Sequence, residues 1–77
     1  MISRKEKVDE NESSEDTFRR IEKQYGGLGY SVERNFSQTL LTGDTLAKST
    51  LKKGSERLIL TMVRKEDSLD ITTSPDR

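Results

Sequence analysis

The stretch that decides the fold is Leu51-Lys52-Lys53-Gly54-Ser55-Glu56-Arg57-Leu58-Ile59-Leu60-Thr61-Met62-Val63-Arg64-Lys65. Residues 57–64 carry apolar side chains at nearly every position, so an extended chain would present them on both faces. One face would hold Leu58, Leu60 and Met62, and the other Ile59, Thr61 and Val63. Such a segment predicts a central strand, because both of its faces suit burial.

The segment before this strand has two interpretations. Asp44 or Thr45 is a suitable N-cap for a helix that ends before Gly54, and the basic last turn suits the helix dipole. The residues that this helix would turn inward are Leu46, Ala47 and Leu51. The alternative is a β-hairpin whose turn lies at Gly54-Ser55. The capping residues favour the helix.

A second informative stretch is Gly26-Gly27-Leu28-Gly29-Tyr30-Ser31-Val32, a glycine-rich turn that leads into alternating residues. The alternation over residues 29–36 predicts a half-buried strand. Glycines let successive N–H groups converge into an anion-binding nest, which suits a peptide carboxylate beside a strand.

Residues 69–72 are consistent with a short edge strand.

Residues 17–24 precede the glycine turn and are open to two readings. Phe18, Ile21 and Tyr25 lie at helical spacing, with Asp16 or Thr17 as the cap, and this favours an amphipathic helix. A strand is the alternative.

The two stretches together resemble parts of PDZ domains. Gly27-Leu28-Gly29-Tyr30 is similar to the Gly-Leu-Gly-Phe loop that binds carboxylates in that family. Residues 19–23 resemble the first strand, and residues 51–65 resemble the end of the second helix and the last strand. The middle of such a domain is missing, so the resemblance implies a truncated PDZ-like module.

The resemblance implies a site for the C-terminal carboxylate of a partner peptide, which adds as a strand beside residues 29–34. The N–H groups of Leu28, Gly29 and Tyr30 would hold the carboxylate, supported by Lys23 or by Arg20. The residues that would line the pocket are Leu28, Tyr30, Val32 and Leu51. The complete set of peptide-binding residues is Lys23, Gly27, Leu28, Gly29, Tyr30, Val32, Asp44, Lys48 and Leu51. Asp44 and Lys48 replace the histidine and the aliphatic residue common in the family.

The composition sets limits on the class of protein. The chain has 77 residues, of which 29% are hydrophobic and 36% charged, with neither cysteine nor histidine. We expect that the protein is not an enzyme and has neither a cofactor nor a metal site, because histidine, the commonest general base and metal ligand, is missing. No apolar run reaches the length of a membrane span, and no signal peptide is visible, so a cytoplasmic protein is expected.

The charge is unevenly distributed along the chain. Residues 17–65 hold ten basic and four acidic side chains, whereas residues 1–16 hold three basic and six acidic ones. The polar segments 1–16 and 73–77 are predicted to be disordered, leaving 17–72 as the peptide-binding module. The basic segment 17–65 gives the alternative function of nucleic-acid binding, with Tyr30 and Phe36 as stacking platforms.

The sequence therefore predicts an α+β fold: a small antiparallel sheet with one or two helices, similar to a truncated PDZ domain. The predicted function is a protein-interaction module. An unpaired strand edge left by the missing middle is expected to favour a homo-oligomer.

Overall fold

The computed structural model describes residues 1–76 and forms one five-stranded antiparallel sheet with one helix. The elements follow the order β1 (Ile2–Lys7), α1 (Ser14–Gly27), β2 (Ser31–Thr39), β3 (Thr45–Lys53), β4 (Glu56–Arg64) and β5 (Ser68–Pro75). The strands lie side by side in the order β1-β5-β4-β3-β2. The predicted α+β class with a small antiparallel sheet is confirmed.

β4 is the central strand of the sheet, as its apolar character predicted. Leu60 and Met62 are fully buried on the face that α1 covers, while Ile59, Thr61 and Val63 are half-buried on the opposite face. The core combines the inner stripe of α1 with alternate residues of β3, β4 and β5. Its members are Val8, Phe18, Ile21, Ala47, Leu51, Leu60, Met62, Leu69 and Ile71.

Residues 44–53 are a strand, and the prediction of a helix there is wrong. β3 pairs with β4 from Thr45 to Lys53, and the turn lies at Gly54-Ser55, as the hairpin alternative proposed. Ala47, Ser49 and Leu51 are buried and alternate with exposed or half-buried residues. This period of two matches a strand with one covered face, and pairing on both sides outweighs the capping signals.

The helix predicted at residues 17–24 is present and longer than expected. α1 begins after Ser13, whose hydroxyl accepts a hydrogen bond from the N–H of Asp16 at 3.1 Å. The N-cap is therefore neither Asp16 nor Thr17. Phe18 and Ile21 face the core, and the helix ends at Gly27, before Gly29 turns the chain at a φ of 99°.

The N-terminal segment is ordered over β1, which differs from the predicted disorder of residues 1–16. β1 pairs with β5 from Ile2 to Lys7, and Val8 is buried in the core. The buried side chain of Arg64 stabilises the linker that follows. Its guanidinium donates to the carbonyl oxygens of Asp9 at 2.9 Å and Glu12 at 3.0 Å. Disorder was predicted because the segment has few apolar residues. Its structure depends instead on backbone pairing with β5 and on the hydrogen bonds from Arg64.

β5 reaches from Ser68 to Pro75 and lies between β1 and β4. It is therefore not the edge strand predicted at residues 69–72, because β1 covers its outer side. Of the tail predicted to be disordered, residues 73–75 belong to β5, and residue 77 lies outside the described residues.

Candidate interaction edge and groove

The glycine turn that was predicted to hold a carboxylate ends α1. The N–H groups of Leu28 and Tyr30 donate to the carbonyl oxygen of Tyr25 at 3.0 and 3.1 Å, and that of Gly29 donates to Gly26 at 3.1 Å. All three predicted donors are thus engaged with carbonyl groups of the last helical turn. The C-terminal end of a helix also carries partial negative charge, which disfavours an anion there. The turn is a helix cap, and the predicted nest does not form.

Tyr30 is half-buried beside this cap. Its ring packs edge-to-face on Tyr25, with ring centroids 6.2 Å apart, and Lys53 Nζ lies 5.5 Å from its centroid. The Tyr30 hydroxyl donates to Glu56 at 3.4 Å. Burial raises the pKa of Tyr30, and the nearby Glu56 carboxylate raises it further. Tyr30 thus closes one end of the core.

The remaining predicted site residues do not converge on one pocket. Leu51 is fully buried in the core, whereas Lys48 is exposed on the opposite face of the same strand. Asp44 lies in the β2–β3 loop, at the far end of β2 from Tyr30. Lys23 and Leu28 are exposed on and just after α1. The predicted pocket required residues 44–53 to form a helix. Because Thr45–Lys53 form a strand instead, the predicted pocket residues lie on different faces and at different ends of the sheet.

β2 forms one edge of the sheet, and all nine of its residues are exposed. The predicted half-burial of this strand is wrong, because α1 lies over the middle of the sheet and does not cover β2. Val32 is the cross-strand partner of Leu51, so its side chain lies on the same face as α1, and it is 43% exposed. The register shifts between Val32 and Arg34, so the regular part of the edge is residues 34–39.

The hydrogen-bond pattern shows which backbone groups of β2 face the open edge. Leu40 N–H donates to the Asp44 carbonyl at 2.7 Å, which makes this a hydrogen-bonded pair. Hydrogen-bonded and non-hydrogen-bonded pairs alternate along an antiparallel ladder. With the β2–β3 register, the N–H and C=O groups of Asn35, Ser37 and Thr39 therefore point away from the sheet. We call these three residues the open edge.

A groove runs between α1 and the open edge. Its volume is about 460 Å³. Asn35 and Ser37 lie opposite Ser49 and Ala47, so their side chains share the helix side of the sheet. Residues contributed by the sheet are Asn35, Phe36, Ser37, Thr45, Ala47 and Ser49. Residues contributed by α1 are Ser14, Glu15, Phe18, Arg19 and Glu22.

The groove is polar and apolar in equal parts, with one aromatic wall. Ala47 and Ser49 are small and leave space beneath the helix, and the largely buried Phe18 bounds that space. Glu15 pairs with Arg19 at 2.6 Å, while Glu22 forms no ion pair with any of residues 1–76. The groove thus offers room for small or aliphatic side chains and one carboxylate for a cation.

The groove residues were not predicted from the sequence. One feature of the sequence could have indicated them. Ala47, Ser49 and Leu51 alternate with polar neighbours, and this pattern is typical of a strand. The inner face of α1 was identified through Phe18, but nothing in the sequence indicates that Glu15, Arg19 and Glu22 face a groove.

Comparison with protein-family models, with curated proteins and with solved structures finds no match to the chain. Among residues 1–76, no helix is long and apolar enough to cross a lipid bilayer.

Proposed function

We propose that the chain is a protein-interaction module that binds an extended segment of a partner protein as a sixth strand along β2. The observation that carries the proposal is the open edge, where three consecutive outward-facing residues offer unpaired N–H and C=O groups. An exposed strand edge is a template for another strand, because main-chain hydrogen bonds supply affinity without requiring one sequence. Strand addition was also the mode suggested by the resemblance to PDZ domains.

The groove gives this mode its selectivity. Successive side chains of an added strand point to opposite faces, so every second one would enter the space between α1 and β2. The small residues Ala47 and Ser49 favour modest apolar side chains there, and Glu22 favours a lysine or arginine. The groove volume of about 460 Å³ lies within the range of about 300–1,000 Å³ typical of ligand pockets.

The ligand of this proposal is an internal segment, and a free C-terminal carboxylate is not needed. The N–H groups of Leu28, Gly29 and Tyr30 are already bonded to α1. We therefore expect a peptide acid and its amide to bind equally well. A clear preference for the free acid in a titration would restore the carboxylate-binding version of the function.

The test is selection of a displayed peptide library on the immobilised chain, followed by calorimetry with the selected peptides. Ser37→Pro removes the outward N–H at the centre of the open edge. Proline is tolerated at edge positions whose N–H faces solvent, so the fold should persist. We expect the substitution to weaken peptide binding by about tenfold, because a main-chain hydrogen bond and close approach are both lost.

Ser3→Pro is the matched control. Val8 N–H donates to Asp67 at 2.9 Å, and alternation along the β1–β5 register then turns the Ser3 N–H outward on the opposite edge. Peptide affinity should be unchanged in this variant. Equal losses in the two variants, or none in Ser37→Pro, would contradict the proposal. Self-association of the wild type that Ser37→Pro abolishes would identify a second copy as the occupant of the edge.

A further inference from the structure

The sheet face opposite α1 is uncovered, and we call it the basic face. Its central strand contributes Ile59, Thr61 and Val63, all half-buried. The strand registers place one residue from each strand in a row that crosses the entire sheet. The row consists of Phe36, Lys48, Thr61, Thr72 and Ser3, with the hydroxyls of Ser3 and Thr72 3.3 Å apart. The row therefore begins with the Phe36 ring at one edge and continues with Lys48. It ends with three hydroxyl-bearing residues, the last of them at the other edge.

Basic residues are concentrated on this face. By the registers, those on its strands are Lys5, Lys7, Arg34, Lys48, Lys52 and Arg57. Some are neutralised: Asp70 pairs with Lys5 at 3.8 Å, and Glu33 pairs with Arg57 at 3.4 Å. Arg34, Lys48 and Lys52 form no ion pair within residues 1–76.

Acidic residues are concentrated on the other side of the molecule. Glu15 and Asp16 lie in the first turn of α1, and Asp9, Glu10 and Glu12 lie in the linker before it. α1 carries as many basic as acidic side chains, so the excess of acidic residues on this side comes from the linker. The basic face is thus complementary to an anionic partner, and the helix side is not.

The basic face contains a depression of about 220 Å³ lined by Arg34, Phe36, Lys48, Thr50 and Ile59. Phe36 is 53% exposed, so its ring is accessible from solvent. Ile59 supplies an apolar side chain to the same depression, and two cations flank it. A flat apolar surface beside two positive charges suits a ligand that combines a planar ring with an anion.

We propose that the basic face binds single-stranded nucleic acid, with a base on Phe36 and phosphates on Arg34, Lys48 and Lys52. Bases of any sequence stack on exposed aromatic rings, while arginine, lysine and hydroxyl groups contact the phosphates. The two sites meet at Phe36, which lines both the groove and the depression, but they depend on different groups, because strand addition uses the outward backbone groups of Asn35, Ser37 and Thr39. Ser37→Pro and Lys48→Glu therefore test the two proposals separately.

The experiment measures fluorescence anisotropy of labelled oligothymidylate and oligouridylate of about 12 nucleotides, within the site sizes of single-strand binders. Affinity should fall log-linearly as salt rises from about 20 to about 200 mM, because phosphate contacts release counterions. Phe36→Ala should weaken binding by about tenfold through lost stacking. Arg34→Glu with Lys48→Glu should weaken it by about a hundredfold, since two phosphate contacts become repulsive.

The matched control is Arg4→Glu with Lys23→Glu, which changes the net charge equally at exposed positions on the helix side. Its affinity should stay close to that of the wild type, and all variants should melt cooperatively. Lys48→Glu should leave peptide binding intact. Binding of only one oligonucleotide supports the proposal and shows that the 2′-hydroxyl or the C5-methyl group is recognised. The proposal is overturned if neither oligonucleotide binds at low salt, or if the control variant loses as much affinity as the double variant. It is also overturned if Phe36→Ala has no effect while heparin binds as tightly as the oligonucleotides, since the face would then recognise charge alone.

Discussion

The two edges of the sheet differ in the residues that they present to an incoming strand. On β1, the residues whose backbone groups point outward are Ser3, Lys5 and Lys7. On β2, the corresponding residues are Asn35, Ser37 and Thr39, and none of them is charged. Lysines on an edge strand discourage pairing, because an added strand would have to desolvate or displace them.

The comparison shows that exposure alone does not make a strand edge available. β1 and β2 are both largely exposed, but β1 carries lysines at its outward-facing positions, whereas β2 borders a groove. The β1 edge is protected, and the β2 edge combines free backbone groups with space for side chains. The difference between the edges is the reason for assigning partner binding to β2.

The largest predicted effect concerns the residue that holds the β1 side together. Arg64 is 5% exposed and donates to the carbonyl oxygens of Asp9, Glu12, Lys65 and Glu66. Arg64→Met keeps the apolar stem but leaves these oxygens without their donor. We expect it to lower the free energy of unfolding by about 3 kcal/mol, measured by urea denaturation.

Arg57→Met is the control for this prediction. Arg57 lies on the same strand in an exposed ion pair with Glu33 at 3.4 Å, and its loss should cost less than about 1 kcal/mol. Amide exchange should accelerate across β1 in the Arg64 variant and stay unchanged across β2. Similar losses of stability in the two variants would show that the Arg64 network does not hold the linker.

A smaller effect is expected when the β2 edge is made similar to β1. Ser37→Lys places a lysine at the centre of the open edge and should weaken selected peptides by about tenfold, measured by calorimetry. Ser3→Lys adds the same charge at the other edge and should leave the affinity unchanged. If Ser37→Lys binds as the wild type does, edge lysines do not explain the difference between the strands.

The smallest effect is a pH dependence located beside β1. A hydrogen bond from Arg20 lowers the pKa of Glu12 below its usual value of 4.5, and a second one from Thr17 contributes. Since the folded pKa is the lower one, the ionised form stabilises the fold at pH values above the unfolded pKa. This stability is lost as the pH falls through the folded pKa. Glu12→Gln should flatten the decline of melting temperature below about pH 4.5; an unchanged decline would contradict the assignment.

The sequence predicted those parts of the fold in which a periodic pattern coincides with burial. Residues 57–64 have apolar side chains on both faces and form the central strand, and Phe18 and Ile21 lie on the inner face of α1. At residues 44–53, the capping residues favoured a helix although the sequence alternates as a strand does. Capping residues are local features, and they give no information about the pairing of this segment with strands on both sides.

The N-terminal strand and the groove gave weaker signals. The helix-side positions of β1 include Arg4 and Glu6 in place of apolar residues, so its order depends on backbone pairing and on Arg64, which is distant in sequence. The groove is assembled from α1, β2 and β3, and half of its surface is polar. Only the tertiary arrangement brings Glu22 and Ser37 to one cavity.

The most direct test of the central claim is amide hydrogen exchange of the free chain, followed residue by residue by NMR. We expect rapid exchange at Asn35, Ser37 and Thr39, whose N–H groups face solvent. We expect slow exchange at Arg34, Phe36 and Gln38, whose N–H groups donate to β3. A selected peptide should then protect the first three residues and leave β1 unchanged. Protection of the first three in the free monomer, or their rapid exchange in the presence of bound peptide, would contradict the claim that β2 is the open, partner-binding edge.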